Sequence, residues 1–239
     1  MVDIHTHIIP NVDDGSQDIK DTVKIFKEAA SVGISDIVLT PHYIKGYYDL
    51  DTKKREDMVE LLKKMLEKMH IPINVYIGNE IYICSNMDEL ILKKEVSCIN
   101  NGKYVLFELP INSNIKYLDE MVFRLISIGK IPIIAHPERY RYVQKNIEIV
   151  QKLREMGALF QSNYGSMVEI YGKHAKKTLI KLLKKGYIDF LASDVHRPDT
   201  IYSVIDKSKN KIKKIIGEEA LYKLTTENPR KILLNEDIV

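Results

Sequence analysis

Short β-branched apolar runs alternate with helical stretches along this chain, and nearly every apolar run ends on a histidine or a carboxylate. His5 and His7 follow Met1-Val2-Asp3-Ile4, and His42 follows Ile37-Val38-Leu39-Thr40-Pro41. Glu80 follows Val75-Tyr76-Ile77-Gly78-Asn79, and Glu108 follows Tyr104-Val105-Leu106-Phe107. His136 follows Ile131-Pro132-Ile133-Ile134-Ala135, while Asp194 and His196 follow Phe190-Leu191-Ala192-Ser193. In an α/β barrel the carboxyl ends of all strands share one rim, and active sites are built there. Residues scattered over the chain would thus meet in one place, which points to a metal-dependent hydrolase.

The helices between the runs are legible from their period. Ile19, Val23, Phe26 and Ala30 recur at 3.6-residue spacing and predict a helix over Asp18–Val32, stopped by Gly33. Similar stripes predict helices over Lys53–Met69, Ile115–Ile128, a segment marked by Ile147 to Met156, Lys173–Lys185, and two more between Asp199 and Leu224. The strands are nearly continuous in apolar character, as parallel strands buried on both faces should be. About seven are countable, the sixth at Ala158–Ser162 and the last at Ile188–Ser193. The expected fold is a distorted (β/α)7 TIM-like barrel, one domain over residues 1–239, with a doubly wound open sheet as the alternative. In the tail, Glu227-Asn228-Pro229-Arg230 predicts a fresh helix start with Asn228 as its cap.

Composition narrows the setting. At 239 residues the chain is long enough for one barrel, and its net charge of +3 gives no reason to expect a nucleic-acid partner. No apolar stretch approaches the roughly 20 residues of a membrane span, and no signal peptide is expected. Two cysteines, Cys84 and Cys98, form no disulfide framework and suit a cytoplasmic protein. A cysteine-based phosphatase mechanism is excluded: it needs an arginine six residues after the nucleophile, and those positions hold Leu90 and Tyr104.

In a strand, residues i and i+2 point to the same side, so His5 and His7 can approach one ion. Asp194 and His196 repeat the spacing at the last strand. Isolated carboxylates such as Glu80 and Glu108 at the ends of apolar strands are costly unless paired with a cation. The candidate ligands are His5, His7, Asp14, His42, Glu80, Glu108, His136, Asp194 and His196. Nine are too many for one ion. They suit two or three, with a carboxylate bridging a pair about 3.5–4 Å apart. With nitrogen and oxygen donors and no thiolate, manganese, iron and zinc are the metals to consider. Tyr43, Tyr47 and Tyr48 lie just after His42, and Tyr43 is a candidate to pack against an aromatic substrate.

Taken together, Asp3-Ile4-His5-Thr6-His7, Thr40-Pro41-His42, Glu80, His136-Pro137 and Ser193-Asp194-Val195-His196 resemble the motifs of the polymerase-and-histidinol-phosphatase (PHP) superfamily. Within it, the chain is most similar to the bacterial manganese-dependent tyrosine phosphatases of capsule and exopolysaccharide loci, the CpsB/CapC type. That likeness rests on Ile8-Ile9-Pro10-Asn11-Val12-Asp13-Asp14-Gly15, Gly78-Asn79-Glu80-Ile81, Phe107-Glu108-Leu109-Pro110, Ala135-His136-Pro137-Glu138-Arg139-Tyr140 and Gln161-Ser162-Asn163-Tyr164-Gly165-Ser166. The resemblance implies that His5, His7, Glu80 and Asp194 hold one ion, and that Glu80 bridges to a second held by Glu108 and His136. Asp14, His42 and His196 would hold a third. It implies Mn²⁺ as the favoured metal, a bridging hydroxide as nucleophile, Arg139 as the phosphate clamp, and catalytic parts for Arg139, Asp194 and His42. The family's second phosphate-binding arginine maps to Arg197 only with altered spacing. The implied substrate is a phosphotyrosine protein, the tail of a bacterial tyrosine kinase that controls polysaccharide synthesis. A histidinol-phosphate or other small-molecule phosphomonoesterase is the alternative, and a PHP nuclease ranks behind it. Oligomeric state is not legible.

Overall fold

The computed structural model describes residues 1–238. Nine strand segments run in chain order: β1 (Val2–Asp3), β2 (Asp36–Leu39), β3 (His42–Tyr43), β4 (Asn74–Ile77), β5 (Glu80–Tyr82), β6 (Tyr104–Glu108), β7 (Ile131–Ala135), β8 (Leu159–Asn163) and β9 (Phe190–Ala192). Every pairing among them is parallel, in the orders β1-β2-β4 and β3-β5-β6-β7-β8-β9. The nine segments make seven staves. β2 and β3 are halves of one, interrupted at Thr40-Pro41, where proline has no N–H to give to a ladder. β4 and β5 are halves of another, interrupted at Gly78-Asn79. The Asn79 side chain bridges that gap, donating to Pro41 O at 3.0 Å and accepting from Ser97 N at 2.9 Å.

A seam between the first and last staves closes the barrel. Thr6 bridges Val195 in parallel, His7 N donates to Val195 O, and Asp194 N donates to His5 O, both at 2.9 Å. Thr6 also fastens the first stave to the second: its N–H donates to Thr40 Oγ1 and its hydroxyl to Val38 O. The result is the seven-stranded TIM-like barrel that the strand count predicts.

Helices cover the outside: α1 (Ile19–Ser31), α2 (Thr52–Lys68), α3 (Met87–Leu92), α4 (Leu118–Ser127), α5 (Arg141–Lys145), α6 (Glu148–Glu155), α7 (Tyr164–Met167), α8 (Gly172–Lys184), α9 (Ile205–Ile216), α10 (Glu218–Tyr222) and α11 (Asn228–Leu233). The periodic stripes locate α1, α2, α4, α6 and α8 to within a few residues, and α9 and α10 are the two helices expected between Asp199 and Leu224. Asp18 caps α1, accepting from the N–H groups of Lys20 and Asp21. The short α3, α5 and α7 have too few turns to show a period.

Alternation along the strands sorts the apolar side chains into two layers. Ile37, Leu39, Val105, Phe107, Ile134 and Leu191 pack outward against the helices. Val2, Ile4, Tyr104, Leu106, Ile133 and Phe190 fill the interior, with Ile232 and Leu233 of α11 in the same cluster. Each fully buried side chain of this kind contributes about 1.5–3 kcal/mol.

One expectation is corrected in the tail. Asn228 does not cap a new helix: its φ and ψ of −58° and −47° are helical, and the chain runs on from α10 through a π turn at Lys223–Glu227. Pro229 offers no N–H to the preceding turn, and the ladder there widens. The Asn228 amide donates instead to Asp189 O at 2.9 Å.

Candidate metal centre

All nine predicted ligands lie at the carboxyl ends of the staves, and eight of the nine are joined in three tight groups. His5, His7, Glu80 and Asp194 form one; His7, Asp14, His42 and His196 a second; His42, Glu80 and Glu108 a third. The ninth, His136, sets Nε2 at 3.0 Å from Glu80 Oε1 and 3.7 Å from Glu108 Oε2. The expected sets differ in two details: His7 also reaches the Asp14–His42–His196 group, and His42 also reaches Glu80 and Glu108.

Local backbone geometry aims these groups. His42 lies directly opposite Glu80 in the β3–β5 register. Tyr104, Leu106 and Glu108 share one face of β6, so the strand that fills the interior ends in a carboxylate on that face. His136 and Asp194 leave their strands in the left-handed region, at φ of 33° and 55°. Side chains other than glycine rarely hold that conformation, and strain of this kind clusters at functional sites. The loop after β1 folds back onto His7. A Cβ on Gly15 would stand 2.1 Å from His7 O, so only glycine allows that close approach.

A layer of supporting polar groups fixes the donors, and it was largely missed in the sequence. His5 Nδ1 is 2.8 Å from Gln161 Oε1, Gln161 Nε2 donates to Asn163 Oδ1 at 2.8 Å, and Asn163 Nδ2 donates to Asp194 Oδ2 at 2.7 Å. The relay ends on a carboxylate, which can only accept, so each amide in it has one consistent orientation and His5 Nδ1 carries the proton. Asp13 does the same for His7 through Nδ1 at 2.7 Å, and also accepts from the N–H groups of His42 and Gly15. Buried Glu138 accepts from Ser162 Oγ, Asn163 N and Ser166 Oγ, pinning the turn that carries His136 and Arg139. Gln161 and Asn163 were legible as polar residues two apart on the buried end of a strand.

With a proton on each Nδ1, His5 and His7 point their Nε2 atoms, the ones left for a metal, toward each other at 3.2 Å. Glu80 Oε2 lies 3.2 Å and 3.3 Å from them and is buried without a hydrogen-bond donor, as are the Nδ1 atoms of His42 and His136. Such an arrangement is unfavourable unless a cation sits among the donors. Burial disfavours charge on His5 and His7, but Glu80 and Asp194 beside the one and Asp13 beside the other raise both, so a bound metal would displace their Nε2 protons. Burial, then the Glu80 charge beside it, pushes Glu108 up to about 8. Burial and the Arg139 guanidinium bring His136 down to about 4, leaving the neutral imidazole that a metal ligand must be. The residues therefore fit divalent metal.

Arg139 stands at the edge of the centre, with Nη1 2.8 Å from Asp194 Oδ2 and its guanidinium 4.4 Å from the centroid of the Tyr171 ring. One substrate-binding expectation is corrected. Tyr43 is 5% exposed and packs in the layer between barrel and helices, because it follows His42 on a strand and so faces the other way. Tyr48 lies beside the centre, stacked on His42 with ring centroids 6.1 Å apart, and Tyr140 packs edge-on against His136 at 5.6 Å. Arg197 turns Nη1 to the carbonyls of Asp14, Gly15 and His196, so it ties the first and last loops together.

Fold and centre together define a barrel protein built to gather metal ions at the carboxyl ends of its strands. The family model described as "Capsular polysaccharide synthesis, CpsB/CapC" matches residues 1–234, and the chain belongs to that family. It is 34% identical to the tyrosine-protein phosphatase YwqE of Bacillus subtilis, over 100% of this chain and 93% of that protein. It is 36% identical to a putative tyrosine-protein phosphatase, CapC, of Staphylococcus aureus, over 82% of this chain and 77% of that protein. A crystal structure from work on YwqE and on CpsB of Streptococcus pneumoniae, described as unique metal-dependent tyrosine phosphatases, superposes with a TM-score of 0.95. The match covers 100% of this chain and 96% of that one at 34% identity.

Proposed function

We propose that this chain is a metal-dependent protein-tyrosine phosphatase that removes phosphate from the phosphotyrosine tail of a bacterial tyrosine kinase governing capsular or exopolysaccharide synthesis. The observation that carries this reading is Arg139 held beside the nine-residue donor cluster in a chain similar over its whole length to tyrosine phosphatases. A centre that only holds metal needs no guanidinium at its edge.

When bound, two or three divalent ions, Mn²⁺ the favoured one and Fe or Zn the others, would screen the phosphoryl charge and activate a water. Among the donors, His5, His7, Glu80 and Asp194 would hold the first ion. Glu80, Glu108 and His136 would hold the second, and Asp14, His42 and His196 the third. Arg139 grips phosphoryl oxygens with a planar fork that lysine lacks. Burial opposes charge on Asp194, but His5, His7 and His196 hold it well below the usual carboxylate range. Asp194 therefore stays an anion that aims Arg139. The tyrosine phenol, with a pKa near 10, leaves with little acid assistance. His42, partly open to solvent beside Tyr48, borders the side from which the substrate ring enters. No helix among the described residues is long and apolar enough to cross a membrane, which suits the cytoplasmic location of a kinase tail.

The test compares a tyrosine phosphopeptide with histidinol phosphate, using metal-stripped protein with and without Mn²⁺. Metal-dependent phosphate release from the peptide, with little from histidinol phosphate, is expected. The reverse preference overturns the tyrosine reading.

A further inference from the structure

A cleft of about 620 Å³ opens beside the metal centre, and Arg139 lies in its wall. Around it stand Arg141, Lys145, Lys173 and His174, with Tyr171 as the apolar partner of the Arg139 guanidinium. No aspartate or glutamate lines this cleft. Among the described residues, none of those four basic side chains lies within 4.0 Å of a carboxylate. Lys176, one turn further along α8, is paired with Glu169 instead. Placement adds to the contrast. Lys173 and His174 occupy the first turn of α8, which has no acidic residue and no side-chain cap. The helix macrodipole disfavours cations at that end, so the fold carries Lys173 there against its own electrostatics.

Resting on the phosphatase reading above, we infer that this cleft is a subsite for a second anionic group carried near the phosphotyrosine on the same chain. Unpaired cations facing a common space raise the local potential and favour an anion there. Arg139 makes the cleft continuous with the phosphate position: its Nη1 reaches Asp194 in the centre while the same side chain borders the cleft. The ligand chemistry is a carboxylate of Asp or Glu, or a second phosphoryl group. Either would distinguish an acidic or multiply phosphorylated tail from an isolated phosphotyrosine.

Three phosphotyrosine peptides of equal length test this, with Mn²⁺-loaded protein at low salt. One has neutral flanks, one has aspartates near the phosphotyrosine, and one has a non-hydrolysable phosphonate there. The expected result is a KM about fivefold lower for the anionic peptides with kcat unchanged, the size set by one or two partly exposed charge pairs. The preference should disappear in Lys145→Gln/Lys173→Gln protein, whose turnover of p-nitrophenyl phosphate stays at the wild-type rate. It should also fade at high salt, as screening requires. A gain for the phosphonate peptide alone assigns the subsite to phosphoryl groups, and a gain for the aspartate peptide alone assigns it to carboxylates. Equal KM for all three peptides, or a preference that survives the double substitution, overturns the inference while leaving the phosphatase intact. No turnover of any peptide overturns the phosphatase reading and this inference with it.

Discussion

Replacing Gln161 by leucine removes an amide of similar volume from a position with no solvent exposure. Two partners lose their bonds. His5 Nδ1 loses its acceptor at 2.8 Å, and Asn163 Oδ1 loses its donor at 2.8 Å. Each orphaned buried group costs about 1–3 kcal/mol, so the metal-free fold should lose about 2–6 kcal/mol. The metal loses more than stability. Without Gln161 the His5 proton is free to move to Nε2, the atom that faces His7 Nε2 and Glu80 Oε2. Loss of such a supporting partner typically weakens metal binding about 10–100-fold. The assay is calorimetric titration of Mn²⁺ into stripped protein, with circular dichroism to verify the fold and denaturant unfolding for stability. Gln161→Glu is the matched control, since it keeps an acceptor for His5 while losing the donor to Asn163. Gln161→Leu should lose affinity and stability, and Gln161→Glu mainly stability. A folded Gln161→Leu protein that binds Mn²⁺ with wild-type affinity at every site would refute the claim that the relay sets the His5 tautomer.

Gly15→Ala drives a methyl into His7 O and should cost about 1–3 kcal/mol as the Asp13–Asp14 loop shifts, read by denaturant unfolding and weaker Mn²⁺ binding; wild-type values for both would show that the loop is not tightly seated. Glu138→Ala leaves Ser162, Asn163 and Ser166 without their acceptor and should destabilise by about 3–9 kcal/mol, whereas Glu138→Gln should cost less because serine hydroxyls can reverse their roles. Unfolding midpoints decide between them, and equal losses would count against the hydrogen-bond account. Arg139→Lys should lower kcat/KM on a tyrosine phosphopeptide about 100-fold or more, since a point charge replaces the fork; steady-state kinetics near the wild-type value would remove Arg139 from the clamp. Adding Mn²⁺ to stripped protein at about 100 times Kd should stabilise it by about 2.7 kcal/mol per site, measured as a rise in melting temperature. No rise would contradict a centre that binds in the folded state alone.

The barrel was legible because two periods coexist in the chain. Strand runs alternate helix-facing and interior residues, and the helix stripes repeat at 3.6, so Ile19 to Ala30 and Tyr104 to Glu108 announce their states directly. The rim was legible because a histidine or carboxylate that ends a buried apolar strand is costly unless something there binds it. Tyr43 was misassigned through neglect of the same strand parity that exposed His5 and His7: the residue after an inward histidine faces outward. Arg197 is different, since nothing local says that the loop of Asp14 and Gly15 passes close enough to take its donors. The left-handed turns at His136 and Asp194 were equally silent, because the long-range contacts of the rim impose them. Nothing local marks Glu138 as buried, and only the approach of β8 and α7 gives it three donors.

The seam between Thr6 and Val195 also bears on how the chain comes to be folded. Residues 5 and 194 contribute to one donor group, so that group is absent from a nascent chain until residue 194 has been made. Until then His5 and His7 are exposed, solvent-facing imidazoles with no carboxylate from the far end. An ion captured on closure fastens the two ends of the polypeptide, much as a cross-link between distant residues would, and removes the large closure entropy from further play. Opening of the empty barrel should accordingly begin at this seam, and bound metal should slow it.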